Sequence, residues 1–245
     1  MSTLKATTIE PATGTNVTLG TTGDTVALPG NTLVLDTWKD SGGNTLFPSN
    51  GSGTVSSVNS GLAGAGPVLI QTQTASGAST VSFTSGIDST YDKYMFLCLN
   101  VNPATDDESL GFHASVDGGS NYGIAKTTTF FDAYHFEDDS VAGMGYEAAH
   151  DLANGTGIQH ITNCGGNGAD ESSSVILYLI APSSTTFVKQ FYSRGSGYYK
   201  GNAAQDLYAA GYINTTSAVN AVQFKMTSGD FDATIKLYGV NNGKT

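Results

Sequence analysis

Large side chains are spread unevenly along these 245 residues: before Phe83 the only aromatics are Trp38 and Phe47, whereas from Phe83 onward they occur in almost every segment. A stretch without bulky side chains cannot fill a compact core by itself. Residues 1 to about 50 must therefore run extended or bury their small residues against another copy of the same chain, and the second option implies an oligomer. The composition changes near residue 67 and divides the chain into 1–66 and 67–245.

Within the first part, Asn16–Gly20, Asp24–Leu28 and Thr32–Leu35 are short strand patterns separated by Gly-containing turns at a spacing near ten residues. That spacing suits successive rungs of a winding strand better than a globular core. The run from Ser49 to Gly66 has the Gly/Ser composition of a linker. From about Leu69 the pattern becomes that of an antiparallel β domain. Strands are predicted at Thr80–Phe83, Tyr94–Val101, Leu110–Val116, Val175–Ile180, Phe187–Tyr192, Tyr208–Ile213, Val219–Met226 and Thr234–Val240. No amphipathic helix interrupts them, apart from one turn of helix expected at Glu147–Leu152. The fold class is all-β: an extended N-terminal β segment followed by an antiparallel β-sandwich, with the jelly roll as the leading topology.

Charged residues make up only 13% of the chain and the formal net charge is −11. An acidic chain lacks the basic surface that displaces counterions from nucleic acid or meets anionic lipid, so neither partner is expected. The start, Met1 to Lys5, has no apolar core of signal-peptide length, and no run reaches a bilayer span, so no membrane insertion is expected and synthesis is placed in the cytoplasm. Cys98 and Cys164 sit in unlike contexts and suggest neither a disulfide framework nor a zinc site.

Three acidic clusters, Asp106–Glu108, Glu137–Asp139 and Asp170–Glu171, invite a glycosidase reading in which paired carboxylates act as acid and base. Adjacent carboxylates on polar loops are more often solvated, and no catalytic residue is assigned. The same acidic loops are the natural oxygen ligands if calcium is bound. Asp117–Asn121 lacks the order of an EF-hand loop and reads as a hairpin turn. His113, His135, His150 and His160 have no zinc spacing, and His113 alternates with core positions, which directs it outward. Nucleophile-elbow, phosphate-loop and dinucleotide motifs are absent, and no cofactor or metal is assigned. The binding candidates are Phe130 and Tyr134 in one group, and Arg194, Tyr198, Tyr199 and Lys200 in another. Exposed aromatics of this kind stack on sugars or anchor interfaces, and burial between sheets or protomers is the alternative.

The run Leu4–Pro29 (LKATTIEPATGTNVTLGTTGDTVALP) resembles the N-terminal segment of fibre and appendage proteins of marine bacteriophages, especially cyanophages. Later runs, DSTYDKY at 88–94, NPATD at 102–106, DGGSNY at 117–122, NTTSAVNAVQFKM at 214–226 and IKLYG at 235–239, resemble the β-sandwich portion of similar proteins. The resemblance implies a virion protein whose N-terminal strands attach to the particle or intertwine threefold, with the sandwich projecting outward.

The resulting expectation is a non-enzymatic virion structural protein, a homotrimeric tail or head fibre. It contacts other virion proteins through residues 1–66 and displays its sandwich to a host-surface glycan or protein. A capsid decoration protein that clamps shell subunits is the alternative, and a glycan depolymerase ranks last.

Overall fold

The structure, a computed structural model, describes residues 37–39, 45–48 and 66–240. The chain divides into two units, Met1–Ala63 and Gly64–Thr245. In the first, β1 (Thr37–Lys39) and β2 (Thr45–Pro48) form an antiparallel pair with Trp38 opposite Phe47. The strand patterns read at Asn16–Gly20, Asp24–Leu28 and Thr32–Leu35, and the linker read from Ser49, lie outside the described residues.

The second unit is an all-β sandwich. Its strands are β3 (Val68–Ala78), β4 (Val81–Phe83), β5 (Lys93–Pro103), β6 (Leu110–Ser115), β7 (Lys126–Phe136) and β8 (Ala142–Tyr146). They continue as β9 (Gln159–His160), β10 (Ser173–Ile180), β11 (Lys189–Tyr199), β12 (Ala203–Ile213), β13 (Ala221–Met226) and β14 (Phe231–Val240). One sheet runs β3-β14-β5-β10-β11-β12-β7-β8 and the other β4-β13-β6-β9, with antiparallel pairing between all neighbours. No helix occurs among the described residues, and Glu147–Leu152 forms a turn in which the His150 N–H donates to Glu147 O.

Alternation explains the strands. In β10 every second residue (Ser173, Val175, Leu177, Leu179) is buried while its neighbours are half-buried, the period-2 signature of a strand with one face on a core. The two sheets meet through aromatic rings set edge to face. Phe96 of β5 stands 5.4 Å from Phe83 of β4 and 5.3 Å from Phe224 of β13, and Phe112 of β6 stands 4.9 Å from Phe191 of β11. A bulge in β5 sets Val101 opposite Ser173 and Cys98 opposite Val175, and Asn100 takes up the extra length at φ 51°.

The Asp117–Asn121 segment is a turn, but not a hairpin. It leaves β6 in the small sheet, and the next strand, β7, belongs to the large one. The Asp117 carboxylate is saturated within the turn, accepting from Ser115 Oγ at 2.7 Å, Asn121 N at 2.9 Å and Asn121 Nδ2 at 2.6 Å. These bonds, those from Asn121 foremost, hold its pKa down to about 2. Gly118 and Gly119 supply the left-handed backbone at φ 72° and 90°.

Strands β7 and β12 approach so closely that one position excludes a side chain. A Cβ on Gly211 would lie 2.4 Å from the Thr127 carbonyl oxygen and 2.8 Å from Thr128 Cα. Gly211→Ala is expected to destabilise the sandwich by about 1–3 kcal/mol, because backbone must shift to admit the methyl group. Gly123→Ala, with nothing within 4 Å, should stay within about 0.5 kcal/mol of the parent, both variants being measured by urea titration.

Candidate functional site

The face of β7 that begins in the core continues past the edge of the small sheet, and the site forms there. Phe130 is fully buried and packs with Leu207 and Ala209. Two residues on, Asp132 is 2% exposed, and Tyr134 and Phe136, on the same face, are half-buried. Across the pairing, Tyr134 faces Gln205, Phe136 faces Ala203, and Ala203 in turn faces Tyr199. A small alanine between two rings leaves a hollow. The result is a cavity of about 400 Å³, with Asp132, Gln205 and the three rings on the sheet side. Val141, Glu147 and His150, from the segments flanking β8, and Asn163 and Cys164, after β9, complete it. Tyr134 and Phe136 meet at 6.1 Å and 85°, and Phe136 and Tyr199 at 6.0 Å and 70°, so the rings present edges and faces to one another as walls. Glycines make room for two of them: a Cβ on Gly143 would touch the Tyr134 ring, and one on Gly201 would stand 2.9 Å from that of Tyr199.

The polar chemistry of the hollow is one-sided. Asp132 Oδ2 accepts from Asn163 Nδ2 at 2.9 Å and from Gln205 Nε2 at 3.1 Å. Those bonds engage one N–H of each amide and fix the orientation of both, since turning either would set oxygen against oxygen. Asp132 Oδ1, Asn163 Oδ1 and Gln205 Oε1 are buried without a hydrogen-bond partner among the described residues. Each such acceptor costs about 1–3 kcal/mol if nothing partners it, which makes three around one carboxyl an unusual concentration.

His150, in the lining of the hollow, lies with its ring centroid 4.4 Å from that of His160 in β9. Burial, and secondarily the neighbouring His150, holds His160 down to about 4; burial, then Lys126 and Lys225, does the same to His113, which alternates with the core residues Phe112 and Ala114 and is half-buried on the other face of β6. Unfolding returns both to about 6.5, so between about 6.5 and 4 the unfolded chain binds more protons. The stabilisation is therefore complete above about pH 6.5 and is lost as the pH falls towards 4. His160→Gln is expected to reduce the unfolding free energy lost between pH 7 and 4.5 by about 1–2 kcal/mol, a figure reduced for the partial exposure of the ring and seen as a flatter melting-temperature profile. An unchanged acid slope would contradict this.

Two of the aromatics singled out from the sequence, Tyr134 and Tyr199, come together in this cavity. Phe130, fully buried beneath it, has no ring face free for a ligand. Arg194 lies on the opposite face of the large sheet. It forks onto Asp206 at 3.2 and 2.9 Å and lies 5.1 Å above Tyr208, which stacks on Phe131 at 4.6 Å. Tyr198 also points to that face and donates to Asn202 Oδ1 at 3.1 Å, while Lys200 pairs with Asp107. The six candidates thus do not form one site. Asp132, Phe136, His150, Asn163 and Gln205 were not singled out from the sequence. The one available signal was strand phase, which puts Asp132 on the same side as Phe130 and Tyr134.

The acidic clusters are engaged locally. Besides the Lys200 contact of Asp107, Glu108 accepts from Thr227 Oγ1, Asp138 caps Ser140 N at 3.0 Å, Asp139 meets His135 at 3.1 Å, and Glu171 caps Gly168 N at 2.8 Å. Among the described residues no group of three or more His, Cys, Asp or Glu is placed to hold a metal ion. Both cysteines are free thiols, and burial pushes Cys164 up to about 12. No helix among the described residues is long and apolar enough to cross a membrane.

What the fold and the hollow define is a β-sandwich carrying a concave, aromatic-walled and acceptor-rich site at one end of its larger sheet. Neither family models, nor curated proteins, nor solved structures match this chain.

Proposed function

We propose that this chain is a structural protein of a bacteriophage particle, a homotrimeric appendage that fixes to the virion through its N-terminal part and displays the sandwich to a host surface without catalysis. The observation that carries the reading is the strand order. With β7, β8, β11 and β12 set aside, the remaining eight strands of the sandwich, counted afresh from first to eighth in chain order, lie 1-8-3-6 in one sheet and 2-7-4-5 in the other. First pairs with last, second with seventh, third with sixth and fourth with fifth, as in a long antiparallel hairpin rolled upon itself. This order supports a jelly roll, an architecture used by viral capsid and lectin domains. The four strands set aside extend the large sheet and carry the cavity. The likeness of Leu4–Pro29 to phage appendage N-termini supports the virion setting.

The hollow favours attachment over shell decoration. A clamp between shell subunits gains stability by filling interfaces and has no use for a cavity with unpartnered acceptors. Trimeric display would multiply weak contacts into avidity. Purified full-length chain, added before infection, is expected to compete with particles for host cells and lower the adsorption rate. Adsorption that stays unchanged at saturating protein would count against attachment and leave decoration as the better reading.

A further inference from the structure

We propose that the cavity over Asp132 binds a primary ammonium group. The assignment rests on the proposal of a ligand-displaying module only for its biological setting; the chemistry stands on the cavity itself.

Three observations converge. First, buried acceptors are left over: Asn163 Nδ2 and Gln205 Nε2 each direct one N–H to Asp132 Oδ2, while Asp132 Oδ1, Asn163 Oδ1 and Gln205 Oε1 have no partner among the described residues. A hydroxyl brings a donor but also lone pairs that need donors in return, whereas an ammonium brings three donors and no acceptor. Second, the residues carrying these oxygens are only 2%, 7% and 5% exposed, so a cation reaching them sits in a water-poor setting where charge-assisted hydrogen bonds are strong. Third, the cavity has Asp132 and Glu147 in its lining and no Lys or Arg, and its walls are aromatic. Tyr134, Phe136 and Tyr199 all line it, inclined to their neighbours at 85° and 70°, and aromatic rings are the side chains that attract an alkylammonium. Acceptors, negative charge and aromatic walls select the same ligand class. The carrier of the amine is an amino sugar or an ethanolamine headgroup, and the probes below separate the two.

The test is a titration of isotope-labelled full-length chain with n-butylammonium, glucosamine, ethanolamine, tetramethylammonium and glucose, following the side-chain amide signals of Asn163 and Gln205. The proposal expects n-butylammonium, and one or both amine carriers, to move these signals with dissociation constants below about 10 mM. Glucose should leave them in place, and tetramethylammonium, with no donor, should bind at least tenfold more weakly. Asp132→Asn should weaken n-butylammonium binding at least tenfold. Should that variant not fold, Tyr134→Leu, which alters only a half-buried wall, should weaken it several-fold. Glucose binding as tightly as glucosamine, tetramethylammonium matching n-butylammonium, or no amine binding would each overturn the assignment. Amine binding without any effect on adsorption would instead tell against the attachment reading and leave this one standing.

Discussion

Phe96→Ala is expected to lower the unfolding free energy by about 3–5 kcal/mol, seen as a urea midpoint well below that of the parent with a similar slope. Phe96 is fully buried on β5, in the middle of the large sheet, and its ring meets Phe83 and Phe224 from the small sheet at 5.4 and 5.3 Å. Removing it takes away two of the ring contacts that join the layers. It also leaves a void that cannot collapse readily, because each sheet is held by its own hydrogen-bond ladder. Against a total stability of about 5–15 kcal/mol, this is a large share. Phe187, 72% exposed, serves as the control, and its alanine variant should shift by no more than about 0.5 kcal/mol. A Phe96 loss below about 1 kcal/mol would mean that the sheets are not held together through this cluster.

Asp132→Ala is expected to cost about 2–4 kcal/mol, because it strands two buried amide donors, Asn163 Nδ2 and Gln205 Nε2, that now share one carboxyl oxygen. A complementary variant separates structural need from ligand binding. Replacing Asp132, Asn163 and Gln205 together by leucine removes every donor and acceptor of the cluster at once. Because three of its acceptors are already unpartnered, the triple variant should melt at or above the parent temperature. Regained stability with lost binding would mark the cluster as one kept for a ligand at the expense of the fold. A triple variant less stable than Asp132→Ala would instead make the cluster part of the scaffold.

How much of this architecture could be read from the sequence depends on what faces inward. Strands β5, β10 and β14 bury Tyr94, Phe96 and Cys98, then Val175, Leu177 and Leu179, then Ile235 and Leu237, and their apolar alternation was plain. β7 was not recognised as a strand. Its inward positions include Lys126, Thr128 and Asp132, all buried, while Phe131 faces out at 37% exposure, so polarity runs against burial. The other two long strands around the cavity were read short. β11 was expected to end at Tyr192 but runs to Tyr199, and β12 was expected to start at Tyr208 but begins at Ala203.

The reason is the same in each case. Gly195, Gly197, Ala203 and Gln205 line the inner face where bulk would fill the hollow or collide with neighbours, as a Cβ on Gly195 would with Val175 at 2.8 Å. Small and polar residues in a strand imitate a turn signal. The concavity that makes the site thereby erased the pattern that would have announced its strands. Two of the aromatic walls, Tyr134 and Tyr199, were visible as rings clustered with other aromatics, whereas the third, Phe136, the amides and the carboxyl needed the register to be brought together.

The proposal that this chain is a displayed virion protein is tested most directly by immunogold labelling of intact phage particles from a lysate that contains the chain, with antibody raised against the sandwich. The account predicts gold confined to discrete projections from the tail or head, accessible without disrupting the particle. Gold spread evenly over the shell, or found only after the particle is broken open, would contradict it.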